Sequence, residues 1–273
     1  MVLSSPRRAV VAGQFYPGSE DSLTKMLQTL IPAGAKKQEA VACMLPHAGY
    51  MYSGRVAGET IAEVRIKEKI ILLGPNHTGY GSPFSIMTRG SWETPLGKVE
   101  IDASLAGELL KNSEYLSDDR NAHEQEHSIE VELPFLQYLK SSFEIVPMAF
   151  MSDDIKALKC IGEEIGRLIN EKKMQKEVLI VASSDMTHYE PQKEAEEKDR
   201  QAINAILELD ADRLMKKIKE LDVTMCGYAP AIVMISAAKA LGAKKGRLIK
   251  YQTSGETTQD FESVVGYAGI IIE

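Results

Sequence analysis

Three histidines, an aspartate and a cysteine carry the chemistry open to this chain. His47 lies in MLPHAGYMYSGR (44–55), His77 in LLGPNHTGYG (72–81) and His188 in VASSDMTHYE (181–190). Each follows an apolar run and a small or turn-forming residue, and each is followed within three residues by tyrosine. A neutral imidazole is a common metal ligand and a thiolate a softer one, so three such loops could converge on one ion. The alternative for each, a hydrogen-bonded or surface loop histidine, is the commoner fate of a lone residue. The threefold recurrence favours a shared site. Asp185, three residues before His188, could fix an imidazole tautomer, hold a metal or relay a proton; it could also serve only its own turn.

Cys226 stands in VTMCGYAPAIVMI, where the apolar pattern resumes just after it. That places it at or near a helix N-terminus, where the thiol pKa is expected to fall and a thiolate would make a third ligand. An inert buried cysteine is the competing reading. The remaining histidines, His123 and His127, spell H-E-x-x-H in NAHEQEHSIEVELPFL (121–136). That zinc-protease signature needs one helix through both histidines. SDDRNA before it is loop-like and Pro134 follows closely, so a helix starting near Ser128 with His127 at its mouth fits better. His123 is then expected on the surface, with Glu130 and Glu132 on a solvated helix face, although Glu130 could point inward. Tyr50, Tyr52, Tyr80, Tyr189 and Tyr228 could wall a pocket for an aromatic ligand; singly, each could equally pack at a core edge.

These loops need elements to hold them. Apolar runs of strand length cover 40–45, 69–74, 84–87, 144–151, 177–183, 246–253 and 264–273. Several are apolar throughout, which suits strands buried on both faces. Helical patterns cover 19–31 (with Ser19 or Asp21 as cap), 54–64, 104–112, 153–172, 197–209, 210–221 and 227–242, and 91–102 reads as a hairpin turning at Pro95–Gly97. Strands alternating with helices predict an α/β layered sandwich, a largely parallel or mixed central sheet flanked by helices. The crevice in such sheets lies outside the carboxyl ends of the strands, where His47, His77 and His188 fall.

Without internal repeats or a Pro/Gly/Ser-rich linker, residues 1–273 read as a single domain. With 32 basic and 39 acidic residues the net charge is −7, which argues against sequence-blind nucleic-acid binding. The longest clean apolar segment, 229–238, is about half of the ~20 residues a membrane span needs, and the first residues hold no secretory signal. Three scattered cysteines, Cys43, Cys160 and Cys226, argue against a disulfide framework and for a reducing cytoplasm.

AGQFYP, PHAGYMYSG, LLGPNHTGYG, WETPLGKV, EHSIEVELPFLQ, SSDMTHY and MCGYAP, in this order from residue 12 to about 230, resemble the Memo family. The resemblance implies a fold like that of the class III extradiol dioxygenases, the LigB-like sandwich, whose non-haem Fe(II) is held by two histidines and a carboxylate. In the Memo pattern the matching ligands are two histidines and a cysteine: His47, His77 and Cys226 here, with His188, Asp185 and His127 lining the same cavity as candidate catalytic groups. His123 matches nothing in that pattern. The resemblance implies Fe(II), with copper as a second candidate, and an oxidoreductase acting on an unknown small, aromatic or phenolic substrate, with His188 as acid/base oriented by Asp185. A thiolate in place of the carboxylate donates more charge and can itself be oxidised, so ring cleavage does not follow automatically. The family equally implies a non-catalytic module that binds a (phospho)peptide or protein partner in the cleft, with Arg55 the nearest cation in sequence, or a metal- and redox-handling protein. Prokaryotic relatives are linked to a radical SAM protein, which implies a pathway partner.

Overall fold

The computed structural model describes residues 5–273. Its strands in chain order are β1 (Ala42–Leu45), β2 (Lys69–Pro75), β3 (Phe84–Ile86), β4 (Ser91–Thr94), β5 (Gly97–Ile101), β6 (Ser117–Asp118), β7 (Glu144–Phe150), β8 (Val178–Ser183), β9 (His188–Glu190), β10 (Gly246–Thr253) and β11 (Val264–Ile272). They form an 11-stranded mixed sheet whose main path runs β10-β11-β1-β8-β2-β7-β3-β6. The four central strands, β1, β8, β2 and β7, are mutually parallel, with Leu45 beside Ser183 and Pro75 beside Phe150. β11 joins β1 antiparallel and β3 joins β7 antiparallel. β1 and β8 are buried at every position, as expected of parallel strands covered on both faces.

The helices are α1 (Glu20–Leu30), α2 (Tyr50–Ala62), α3 (Ala103–Asn112), α4 (Asn121–Glu124), α5 (Leu133–Leu139), α6 (Ile155–Glu171), α7 (Gln192–Leu207), α8 (Ala211–Leu221), α9 (Tyr228–Ala240) and α10 (Gly255–Thr258). α6 shows how the sequence sets them. Leu158, Ile161, Ile165, Leu168 and Ile169 recur at helical spacing on its buried side, and Asp154 caps it by accepting from Lys156 N and Ala157 N. α9 is buried from Ala229 to Ala238 because it lies across β1, β2, β7 and β8 while α6 and α8 pack over it. On β11, Gly269 backs onto Thr60 of α2 and Gly266 onto Asp199 of α7. Three residues apart on a regular strand, these glycines face opposite ways, so helices cover both faces of the sheet.

The expected strands and the 91–102 hairpin are present, with ends shifted by a residue or two. Three differences bear on the site. α2 begins at Tyr50, not near 54, so PHAG leads almost directly into a helix. α7 begins at Gln192, immediately after Pro191. β9 carries His188 itself, held by antiparallel pairing to β11.

Candidate functional site

The parallel strands deliver their carboxyl ends to one edge. His47 follows β1, His77 follows β2, and Asp185 follows β8. Cys226 lies two residues before α9. Gly227 lets it come close: a Cβ there would sit 2.4 Å from both Ser183 O and Ser184 Cβ, and Gly227 N donates to Ser184 Oγ at 3.0 Å. Gly74 plays the same part for the segment carrying His127, since a side chain there would strike Ser128 Oγ at 2.6 Å.

One donor atom from each of His47, His77 and Cys226 lies within 4.8 Å of the other two. Cys226 Sγ and His47 Nε2 are 3.2 Å apart. Both imidazoles are held from behind by Nδ1, His47 by Ser183 Oγ at 2.8 Å and His77 by Glu126 Oε1 at 2.9 Å. This is how ligating histidines are usually oriented, with the second nitrogen left for the ion. The loops are braced as well. Asp185 Oδ1 accepts from the backbone N–H of His47 at 2.9 Å and Ala48 at 3.3 Å, and Asn76 Oδ1 accepts from Thr78 N at 3.0 Å and Gly79 N at 3.2 Å. The donor set suits a thiophilic or borderline ion such as iron, copper or zinc, with directions left open to a further ligand. His77, Glu126 and His127 form a second group of mutually close donor atoms, sharing His77 with the first.

His127 stacks on His77 with centroids 4.7 Å apart and meets Phe15 on another side at 4.9 Å. Burial, with His77 adding, lowers its pKa against the pull of Glu126. Burial likewise holds the His47 pKa well down, helped by His127, His77 and His188, so His47 is a neutral imidazole, the form a metal requires. Burial raises the Asp185 carboxyl to about 6, opposed by His188 and the two N–H groups it accepts from. His188 is held by Thr224, whose carbonyl faces Nδ1 at 2.9 Å and whose hydroxyl takes the backbone N–H at 2.7 Å. Its ring is thus oriented by Thr224, not by Asp185, which is spent on the His47 loop.

A cleft of about 670 Å³ opens over these groups, lined by His47, His77, His127, Asp185, His188, Tyr52, Tyr189 and Tyr267 among others. A larger depression of about 840 Å³ lies around Glu39, Arg65, Lys67 and Lys140. Several of its charges are spent locally: Arg65 pairs with Glu39, Lys140 with Glu68, and Lys67 donates to two backbone carbonyls.

Several expectations change. The thiol of Cys226 is not lowered: α9 starts only at Tyr228, and burial, then the Asp185 carboxylate, push it up. His123 is fully buried, with Nε2 3.1 Å from Ser85 Oγ and its ring edge-on to Trp92. Helix α4 stops at Glu124, between the two histidines, so the H-E-x-x-H spelling makes no zinc-protease site. Glu130 and Glu132 are buried, not solvated. Glu130 ties down the N-terminal segment through Arg7, Tyr16 OH at 2.7 Å and the N–H of Val11 at 3.0 Å. Of the five tyrosines, Tyr52 and Tyr189 line the cleft. Tyr50, two positions from Tyr52 on a helix and so turned away from it, packs on Phe135 in the core. Arg55 is 70% exposed, pairs with Glu59, and does not line the cleft. Tyr267, Ser183, Glu126 and Thr224 were not singled out by the sequence. Only Glu126 had a signal, its place beside His127.

The chain matches the family model described as Memo-like protein over residues 7–271. It is 42% identical over 279 residues to a MEMO1 family protein of Methanopyrus kandleri, covering 97% of this chain and 98% of that one. It is 43% identical over 269 residues to a MEMO1 family protein of Aquifex aeolicus, with the same coverage. Among solved structures, an uncharacterized protein from Escherichia coli K12 superposes with a TM-score of 0.57 over 84% of this chain and 98% of its own, at 12% identity; that likeness concerns the fold alone.

Proposed function

The chain belongs to the Memo family, and from that premise we propose that His47, His77 and Cys226 hold a redox-active metal ion, Fe(II) or copper, at which a small substrate is oxidised. The observation that carries this reading is the mutual approach, within 4.8 Å, of two imidazoles and one sulfur from three separated loops. When bound, such an ion supplies one-electron exchange and Lewis acidity that no side chain in the cleft offers.

The chain's own groups do the rest. Thr224 O accepts from Nδ1–H of His188, which leaves Nε2 of that ring as a base at the cleft wall for a phenolic or alcoholic proton. The Asp185 carboxyl, raised to about 6, holds a proton in part near neutrality and can return one. His127, stacked on His77 and backed by Phe15, closes one side of the cleft against water. Tyr52, Tyr189 and Tyr267 offer faces to a flat ligand.

The test is an oxygen-free titration with Fe(II) and Cu(I) of wild type beside His47→Ala and Cys226→Ser. Wild type is expected to bind one ion per chain, and each variant to lose more than roughly 100-fold in affinity, beyond what loss of a supporting group costs. Unchanged binding in both variants would sink the ligand assignment. Oxygen uptake with a panel of catechols then separates turnover from storage of the ion.

A second reading draws support from the rim. Met51 is 65% and Tyr189 77% exposed, and both border the cleft, which suits a peptide or protein partner with apolar side chains. A phosphorylated ligand fits less well, because no lysine or arginine among the described residues lines it.

A further inference from the structure

Ser183 Oγ carries one hydrogen and faces three neighbours. Ser128 O lies at 2.7 Å, Glu132 Oε1 at 2.8 Å and His47 Nδ1 at 2.8 Å. A backbone carbonyl only accepts, so the Ser128 contact is attractive only when Ser183 donates to it; at that distance two bare lone pairs repel. With its hydrogen committed, Ser183 can only accept from the other two. From this arrangement we infer that Glu132 is a neutral carboxylic acid donating to Ser183, and that Ser183 in turn fixes His47 as the Nδ1–H tautomer with Nε2 bare toward Cys226. Ser183 and Glu132 are then positioning residues for His47. The inference rests on the proposed function only in treating His47 as a ligand.

The surroundings of Glu132 agree. It is fully buried, and its Oε2 has no hydrogen-bond partner. A carboxylate oxygen in that position would be an unpaired buried charge, whereas the carbonyl oxygen of an acid is a far cheaper orphan. The titratable groups facing it are Cys43 of β1, Tyr50 of α2 and Asp185 after β8, and none is a cation. Tyr50 OH is committed to Val131 O at 2.7 Å. Burial pushes the Glu132 carboxyl well up, with Asp185 adding and the Ser183 contact opposing. The far side of the ring fits too: a bare Nε2 is the acceptor that a Cys226 thiol proton, 3.2 Å away at the sulfur, requires.

The test needs no metal. Nitrogen-15 NMR of the imidazoles in metal-free protein reads the His47 tautomer, assigned by loss of its signals in His47→Gln. Infrared spectroscopy at about pH 8, far above the ordinary range of a carboxyl, reads any protonated acid. The expected result is an Nδ1–H tautomer at His47 and a protonated carboxyl band that Glu132→Gln removes. Glu132→Gln is expected to keep the tautomer, because its amide N–H donates to Ser183 in place of the acid. Ser183→Ala is expected to mix the tautomers and to weaken Fe(II) binding by about 10-fold or more. An Nε2–H tautomer in wild type, the absence of the band, or a Glu132→Gln chain that fails to fold would each overturn the proposal. Failure of Fe(II) to bind wild type, with tautomer and band as expected, would instead remove the metal reading and leave this one standing.

Discussion

Two glutamates on one short segment support two imidazoles at the same cleft, one as a charged carboxylate and the other as a neutral acid. Glu126 is 1% exposed and Glu132 is 0% exposed, so burial does not distinguish them. Donors do. Glu126 accepts from His77 N, His77 Nδ1, His127 N and Ser128 N. Burial alone would raise its carboxyl, but these contacts hold it down at about 2. Glu132 touches one hydroxyl. A buried carboxyl keeps its charge where enough N–H groups converge on it and surrenders it where they do not.

The largest effect that would sharpen this contrast is expected from Glu126→Ala. It strands three backbone N–H groups and releases the His77 ring, and should cost about 3–5 kcal/mol in chemical denaturation, as breaking a buried charged network does. Metal affinity should fall roughly 10–100-fold with it. A cost under about 1 kcal/mol would show that Glu126 is not the charged anchor its contacts imply.

The next effect is in pH. The Glu126 carboxyl is lower when folded than when unfolded, so its stabilisation is complete above about pH 4.5 and is lost as pH falls toward 2. Glu132 has the reverse sign: its folded carboxyl is raised, so the folded chain keeps a proton that the unfolded chain releases. Stability therefore declines as pH rises above the ordinary carboxyl range. Glu132→Gln should match wild type near pH 4 and become the more stable of the two as pH rises to about 7. Parallel stability–pH curves for the two proteins would erase the difference between the glutamates.

A smaller effect is expected from an imidazole outside the cleft. His123 is as buried as His47, but its pKa, lowered to about 4 by burial and then by Arg7, reflects a packing role. His123→Ala should cost about 2 kcal/mol through the cavity it leaves under Trp92 and should leave metal affinity unchanged. A loss of metal binding without a loss of stability would reverse that assignment.

Much of this was legible in the residues. Apolar runs ending at Leu45, Gly74 and Ser183 place His47, His77 and the segment carrying Asp185 and His188 beyond strand ends, because strand burial is a local pattern and parallel topology then aligns those ends. The motif order also carried the family. What the pattern misjudged was the stretch from His123 to Glu132. Its alternating charges read as solvent-facing, yet the chain threads it through the interior. Arg7, more than a hundred positions away, meets Glu130, while Ser183 meets Glu132. For Tyr50 the pattern left cleft wall and core edge both open; a helix that starts one turn earlier than expected turns it into the core and leaves Tyr52 at the cleft.

The sequence alone thus determined which imidazoles and which sulfur stand at element ends, because hydrophobic periodicity is written in neighbouring residues. The tertiary structure alone decided which groups are charged, which nitrogen of each ring is bare and which histidine is only packing. Those properties depend on desolvation and on donors brought in from distant segments, and no local pattern encodes either.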